Sequence, residues 1–197
     1  MKPAPFDYVR VDSVDESLEL LAEYGDDARI IAGGQSLMPM LNMRLARPEV
    51  LIDINHVSEL SGITADPKSV TIGAVTTQNA LEEWPGLSEE LPLVARALPN
   101  IGHFQTRNRG TVCGSICHAD PSSELPLCLA LLGGEVELRS KRGMRRVAAD
   151  DFQIGVLTTA KEPDELATRA IYPKAMAGAK YAFREFHLRH GDFAIVA

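Results

Sequence analysis

Long hydrophobic runs are absent from this chain of 197 residues. No apolar stretch approaches the roughly 18 residues that a membrane-spanning helix requires. Residues 1–6, Met-Lys-Pro-Ala-Pro-Phe, also lack the apolar centre of a secretory signal peptide. We therefore expect no membrane span and a cytoplasmic location.

An excess of basic residues is absent too. The chain carries 20 Lys and Arg against 27 Asp and Glu, which gives a net charge of −7 at pH 7. Nucleic acids and acidic membrane surfaces attract positively charged proteins. The charge balance therefore argues against a general nucleic-acid binder.

Cysteine is scarce, with three in the whole chain. An odd, small number favours reduced thiols over a disulfide framework. Cys113 and Cys117 lie beside His118, and Cys128 follows, but the chain has no C-x-x-C pair and no evident fourth zinc ligand. We expect buried, reduced cysteines and no metal site.

Familiar catalytic signatures are missing as well. The chain has no Walker A sequence, no G-x-G-x-x-G and no G-x-S-x-G nucleophile elbow. His118 and Asp120 are candidates for an acid–base pair, although a loop position for His118 and a helix cap at Asp120 explain them more simply. We identify no catalytic residue, so any redox chemistry requires a bound cofactor.

What the chain does contain is a substantial apolar fraction, 45%, which is enough for a sizeable core. The sequence Ser13-Val14-Asp15-Glu16 is typical of a capping box at the start of a helix. Apolar runs at 29–32 and 50–54 predict strands, with a short helix between them. This pattern predicts an N-terminal βαβ unit, which we place at residues 1–56.

The rest of the chain predicts a larger unit of strands and helices, which we place at residues 57–177. The expected elements are strands at 69–73, 135–139, 145–147 and 166–172, a helix capped by Thr76 or Thr77, a helix from Pro92 to Leu98, and a helix capped by Asp120 with Pro121 at its first position. The basic stretch 139–146 is interpreted as a solvated hairpin tip, with a docking surface as the alternative.

The C-terminal stretch has a different character. Residues 174–180 resemble a linker, and 181–183 with 193–196 predict a hairpin. The chain stops at Ala197 inside an apolar run, which would leave an unpaired strand edge. We therefore expect residues 178–197 to be the start of a truncated C-terminal domain.

Two small-residue segments suggest a ligand site. Ala32-Gly33-Gly34-Gln35-Ser36-Leu37-Met38-Pro39 joins a predicted strand to a predicted helix, and residues 110–121 have a similar composition. Unpartnered N–H groups at such a junction favour an anion, most often a phosphate. The first segment alone also fits a simple turn, but both segments together predict two loops that hold one diphosphate.

Three motifs in order carry a family resemblance. They are residues 32–39, the sequence Arg107-Asn108-Arg109-Gly110-Thr111-Val112-Cys113-Gly114-Ser115, and residues 118–126. With these motifs the chain resembles the FAD-binding medium subunit of molybdenum hydroxylases, the family of xanthine dehydrogenase and aerobic carbon monoxide dehydrogenase. The resemblance runs from Phe6 to the chain end and includes residues 189–194. It implies an α+β, two-subdomain FAD-binding fold of the vanillyl-alcohol-oxidase (PCMH) type, with a small βαβ unit followed by a larger mixed sheet with helices.

The resemblance also implies a set of cofactor-binding residues. The pyrophosphate would be held by Ala32, Gly33, Gly34, Gln35, Ser36 and Leu37 together with Thr111, Gly114 and Ser115. Ile101, Gly102 and the segment around Leu166 would lie near the flavin, Asp120 and Glu124 would bind hydroxyls or the adenosine side, Phe193 would cover one flavin face, and Arg184 would lie near the cofactor. Relatives usually carry Thr-x-Gly-Gly-Ser where this chain has Cys113. If Cys113 needs a positive φ, its backbone is strained. If it does not, the Cys113 side chain only narrows the loop.

The implied function is electron transfer. A large molybdopterin subunit would oxidise the substrate, and a small subunit with 2Fe–2S clusters would pass electrons to FAD in this chain. The flavin would then reduce NAD, oxygen or a quinone. The alternative is a flavin-free assembly or docking domain of the same complex.

Overall fold

Two separate β-sheets organise the chain, in a computed structural model that describes residues 2–197. The smaller sheet contains β1 (Asp7–Arg10), β2 (Ala28–Ile31) and β3 (Val50–Asp53). Its strands are parallel, in the order β1-β3-β2. The central strand β3 is buried along its whole length, as expected for a continuous apolar run in a parallel sheet.

Two helices connect these strands. α1 (Val14–Tyr24) begins at the predicted cap, where the Ser13 hydroxyl accepts a hydrogen bond from the Glu16 N–H at 3.1 Å. The Glu16 carboxylate accepts from the Asp12 N–H at 3.0 Å, so the second half of the box closes one residue earlier than in the usual pattern. α2 (Leu37–Asn42) follows β2. The predicted βαβ unit is therefore present.

The larger sheet has the strand order β4-β5-β10-β6-β7. Its strands are β4 (Ile63–Ala65), β5 (Ser69–Gly73), β6 (Glu135–Ser140), β7 (Gly143–Ala148) and β10 (Leu166–Pro173), while β8 (Gln153–Gly155) and β9 (Thr158–Thr159) form a separate hairpin. All pairings within the five strands are antiparallel. The expected α+β class is confirmed, but the larger sheet is antiparallel and not mixed.

Short helices cover the sheets. They are α3 (Gln78–Glu82), α4 (Leu87–Glu90), α5 (Pro92–Ala97), α6 (Phe104–Arg107), α7 (Val112–His118), α8 (Glu124–Leu131) and α9 (Ala149–Phe152). Thr77 caps α3 and Pro92 opens α5, as the sequence predicts. A single hydrophobic core joins both sheets. Within residues 2–197, each helix is too short or too polar to cross a bilayer.

Three expectations about local structure are wrong. The second small-residue segment is not a loop, because residues 112–118 form α7. The next helix does not start at Asp120 and Pro121 but at Glu124, after Ser123. The C-terminal hairpin is also absent: among residues 174–197 a single β-bridge joins Phe186 to Val196. The boundaries at 56/57 and 177/178 stay predictions.

Candidate functional site

A cleft of about 710 Å³ lies between β2 of the smaller sheet and α7 of the larger unit, and its volume falls in the range of small-molecule sites. It is lined by most of the residues that the sequence assigned to a cofactor, namely Ala32, Gly33, Gly34, Gln35, Ser36, Leu37, Ile101, Gly102, Thr111, Gly114, Ser115, Glu124, Leu166 and Phe193. Asp120 and Arg184 do not line it. The structure thus gathers residues from distant segments, and their role in binding stays a prediction.

The segment Gly33–Ser36 supplies backbone donors to this cleft. The N–H groups of its four residues donate to no acceptor within residues 2–197. Gly34 has a φ of 70°, a left-handed conformation that glycine adopts without strain. Successive unpartnered N–H groups in such a turn form a concave binding site for anions.

This first segment packs directly against the second. A Cβ added to Gly33 would collide with the carbonyl oxygen of Arg109 and would lie 2.8 Å from the Gly110 Cα. Only glycine allows the two backbones to approach so closely. The two motifs of the sequence therefore meet at one end of the cleft.

The second segment is held by its own hydrogen bonds. Thr111 caps α7, and its hydroxyl accepts from the Gly114 N–H at 3.0 Å while its carbonyl accepts from the Ser115 N–H at 3.1 Å. The Gln78 N–H donates to the Gly110 carbonyl at 2.8 Å, which ties the segment to α3. The N–H groups of Gly114 and Ser115 therefore already have acceptors within the chain.

Cys113 departs from the family pattern without strain. It lies in α7, is 3% exposed, and does not have a positive φ. Its thiol donates a long hydrogen bond, 3.7 Å, to the Ile72 carbonyl, and burial raises its pKa. The alternative with a strained backbone is therefore wrong, and this cysteine belongs to the core between α7 and the larger sheet.

The other two cysteines are also reduced. Cys117 lines the cleft and burial raises its pKa to about 11, while burial raises the pKa of Cys128 to about 12. Thiols with such pKa values are poor nucleophiles at neutral pH. Within residues 2–197, three or more His, Cys, Asp or Glu side chains do not come together as a possible metal site.

Glu124 is a buried carboxyl in the cleft wall, 8% exposed. Burial raises its pKa to about 7, and the neighbouring Glu185 and Asp120 add to the shift, while its own N–H opposes it. Asp120 instead accepts hydrogen bonds from the Ser122 N–H at 2.9 Å and the Ser122 hydroxyl at 2.6 Å. It stabilises the turn before α8 and does not cap that helix.

The C-terminal segment reaches the cleft through close backbone packing. A Cβ on Gly191 would lie 2.6 Å from the carbonyl oxygen of Gly102. Phe193, two residues further on, lines the cleft and is 75% exposed as a residue. The exposed side chain of Arg184 lies outside the lining.

A strained pair holds the β8–β9 hairpin beside the cleft. Ala119 and Leu157 are non-glycine residues with φ of 52° and 53°, and the Leu157 N–H donates to the Ala119 carbonyl at 3.0 Å. A left-handed conformation costs such residues roughly 1–2 kcal/mol each. The hydrogen bond fixes the turn after α7 against the hairpin, so that residues 157–159 line the cleft.

Lys161 is a cleft residue that the sequence analysis missed. Its ammonium group donates to the Glu162 and Glu165 carbonyls at 2.9 and 3.1 Å, and burial lowers its pKa. It lies in the polar stretch between the predicted strands at 145–147 and 166–172. A lysine in such a stretch usually faces solvent, so the sequence carries no signal of its burial.

An ionic clamp holds the loop that carries Lys161. The Arg145 guanidinium donates to both oxygens of Glu165 at 2.7 and 2.8 Å, and Arg142 binds Glu162 and Asp164 at 2.6 and 2.8 Å. Residues 141–146 of the basic stretch are exposed, as predicted, while Ser140 is buried, and the two arginines are paired within the chain. The docking-surface alternative for this stretch stays a prediction.

The geometry fits an elongated ligand with a diphosphate. Unpartnered backbone N–H groups meet a capped helix across a cleft that is too large for a phosphate alone. The cleft wall contains Gly34 in a left-handed conformation and a close contact between Gly33 and the Arg109 backbone. Both features are typical of nucleotide sites. The residues present thus fit a dinucleotide such as FAD.

Comparison with known proteins defines the class. Residues 4–175 match the family model described as the FAD binding domain in molybdopterin dehydrogenase. The chain belongs to this family, which confirms the predicted family, its fold and FAD as the cofactor of the domain.

Individual relatives agree with this assignment. The chain is 44% identical over 195 residues to the 6-hydroxypseudooxynicotine dehydrogenase complex subunit alpha of Paenarthrobacter nicotinovorans, covering 99% of this chain and 66% of that protein. It is 39% identical over 197 residues to the carbon monoxide dehydrogenase medium chain of Afipia carboxidovorans, covering 100% and 68%. The crystal structure of carbon monoxide dehydrogenase from Hydrogenophaga pseudoflava superposes with a TM-score of 0.95 at 39% identity, covering 98% of this chain and 68% of that chain. The chain thus spans about two thirds of the length of the relatives it matches.

Proposed function

We propose that this chain binds FAD in the cleft and serves as the electron-transfer flavoprotein component of a molybdenum hydroxylase. The observation that carries the proposal is the row of free N–H groups in Gly33–Ser36, which lies in the cleft wall of a member of an FAD-binding family. Bound FAD would supply the redox chemistry.

In this proposal the residues of this chain bind FAD and fix its orientation. The N–H groups of Gly33–Ser36 hold the diphosphate, and Thr111 fixes the start of α7 beside them. Ile101, Leu166 and Phe193 contribute apolar surface to the ring systems. Glu124 provides a carboxyl that is largely protonated below pH 7, and it donates or accepts a hydrogen bond with a ligand hydroxyl.

The proposed partner subunits are based on the names of the relatives. Relatives are named as a subunit of a dehydrogenase complex and as medium chains of carbon monoxide dehydrogenase. We propose a large molybdopterin subunit and a small 2Fe–2S subunit as partners in the cytoplasm, with NAD, oxygen or a quinone as the acceptor. In this assignment the hydroxylated substrate binds the large subunit.

Two measurements test the proposal. Titration of the purified chain with FAD and with FMN, followed by flavin fluorescence, should show saturable binding that is tighter for FAD because FMN lacks the diphosphate bridge. Mixing the FAD-loaded chain with a reduced 2Fe–2S subunit should bleach the visible flavin band. A chain that copurifies with the other subunits but binds no flavin would favour the docking-domain alternative.

A further inference from the structure

Asn55 connects the smaller sheet to Ala32, the residue that precedes the segment Gly33–Ser36. Its side-chain amide donates to the Ala32 carbonyl at 2.9 Å and to Asp53 Oδ1 at 2.6 Å. The Asn55 N–H also donates to Asp53 Oδ1, at 2.9 Å. The other oxygen of Asp53 accepts a hydrogen bond from the Tyr8 hydroxyl. A polar chain therefore runs from Tyr8 through Asp53 and Asn55 to Ala32.

The sheet register explains why these side chains meet. Asp53 ends the central strand β3, opposite Arg10 on one side and Ile31 on the other. Tyr8 pairs with Leu51, two residues before Asp53, so Tyr8 and Asp53 belong to the same face of the sheet. The Ile54 N–H makes the last ladder bond, to the Ile31 carbonyl. The Asn55 side chain makes the next link across, beyond the end of β2.

This link controls the orientation of one peptide plane. The Ala32 carbonyl and the Gly33 N–H belong to the same planar peptide group and point in opposite directions. Asn55 draws the carbonyl toward β3, which turns the Gly33 N–H away from β3. Gly33 is the first of the four residues whose N–H groups have no acceptor within residues 2–197.

We propose that Asn55 is a positioning residue that orients the Gly33 N–H toward the diphosphate of the ligand, and that Tyr8 and Asp53 hold Asn55 in place. This inference rests on the proposed function, since it assigns a role in FAD binding. Burial alone would raise the pKa of Asp53, but the hydrogen bonds from Tyr8 and Asn55 outweigh burial and lower it. An ionised Asp53 accepts these hydrogen bonds most strongly.

The test compares ligands with and without a diphosphate. Dissociation constants for FAD, ADP and adenosine are measured by calorimetry for the wild-type chain and for Asn55→Ala, Asn55→Asp and Tyr8→Phe. Asn55→Asp keeps the shape of the side chain but removes the donor to Ala32. Tyr8 is 57% exposed, so Tyr8→Phe disturbs the fold least and reports even where an Asn55 variant fails to fold.

The expected result is a loss that depends on the diphosphate. Both Asn55 variants should bind FAD and ADP about tenfold more weakly, and Tyr8→Phe about threefold more weakly, as for loss of one hydrogen bond. Adenosine binding should stay unchanged. One control variant, Asp66→Ala in the β4–β5 turn, loses hydrogen bonds away from the cleft and should keep wild-type affinity.

Three outcomes would overturn the inference. Equal loss for adenosine and ADP would show a general deformation of the cleft. Wild-type affinity in Asn55→Asp or in Tyr8→Phe would show that the donor chain does not act on the ligand. A wild-type chain that binds none of the three ligands would overturn the proposed function, and the inference with it.

Discussion

Gly33 and Arg109 are in backbone contact, and the carbonyl oxygen of Arg109 lies too close to the position of a Cβ on Gly33 for any side chain to fit there. This contact joins the two segments that form the cleft. Gly33 therefore serves the packing of the chain as well as the proposed ligand. The sequence alone assigned this glycine to ligand approach and gave no sign of its neighbour.

The first prediction concerns Gly33→Ala. The added methyl group must displace the Arg109 backbone, which should lower the free energy of unfolding by about 1–3 kcal/mol, as overpacking does. The same displacement separates the two segments, so FAD affinity should fall as well. Urea unfolding and FAD titration of the same preparation measure both effects. Unchanged stability would show that the two segments are not in contact in solution.

The second prediction separates ligand binding from backbone strain. Gly34 and Gly133 have nearly equal positive φ, 70° and 68°, but only Gly34 lines the cleft. Replacement of either by Ala should cost about 1 kcal/mol of stability because of the left-handed conformation. Only Gly34→Ala should weaken FAD binding. If Gly133→Ala weakened FAD binding equally, strain alone would explain the loss.

The third prediction concerns the ionic clamp. Arg145→Met leaves the Glu165 carboxylate, 5% exposed, without its cation and should cost about 2 kcal/mol at pH 7. Arg142→Met, whose partners are more exposed, should cost less than about 1 kcal/mol. Urea unfolding of both variants gives the comparison, and equal losses would contradict the difference in burial.

The clamp also has a defined pH dependence. Burial alone would raise the pKa of Glu165. The hydrogen bonds from the Arg145 side chain and the Glu162 N–H, together with the charges of Arg145 and Arg142, outweigh burial and lower this pKa. The stabilisation is therefore present above the unfolded-state pKa, near about 4.3, and is lost as pH falls through the folded-state value. The difference between wild type and Arg145→Met should be full at neutral pH and should shrink below about pH 4.

The fourth prediction concerns Glu124, whose pKa is raised to about 7. The folded chain holds a proton that the unfolded chain releases, so stability should fall as pH rises from about 4.5 to about 7. Glu124→Gln should remove this slope and, in the ligand-free chain at pH 8, add up to roughly 3 kcal/mol. The exposed Glu19→Gln is the control. A wild-type stability that does not change over this range would contradict the assignment.

Much of the fold could be predicted because local signals agreed with the tertiary structure. The Ser13 cap, the apolar run of β3, the Thr77 cap and Pro92 at the start of α5 each fix an element by short-range chemistry. The glycine motif also followed from local rules, since a left-handed residue is needed at Gly34.

Other features depended on contacts that the sequence does not display. Residues 112–118 are small and look like a loop, but burial of Val112, Cys113 and Ile116 makes them helical. The sequence predicted Asp120 as the cap of the next helix, whereas that helix begins after Ser123. The left-handed Ala119 turns the chain so that Asp120 binds Ser122 and the helix starts later. The half-buried position of Lys161 depends on the clamp between distant residues.

The most direct test of the account is an absorption spectrum of the purified chain after incubation with FAD and desalting. We predict that the flavin bands survive desalting in the wild type and in Gly133→Ala, and are lost or strongly reduced in Gly34→Ala. A folded wild-type chain that emerges colourless would contradict the assignment of this cleft as an FAD site.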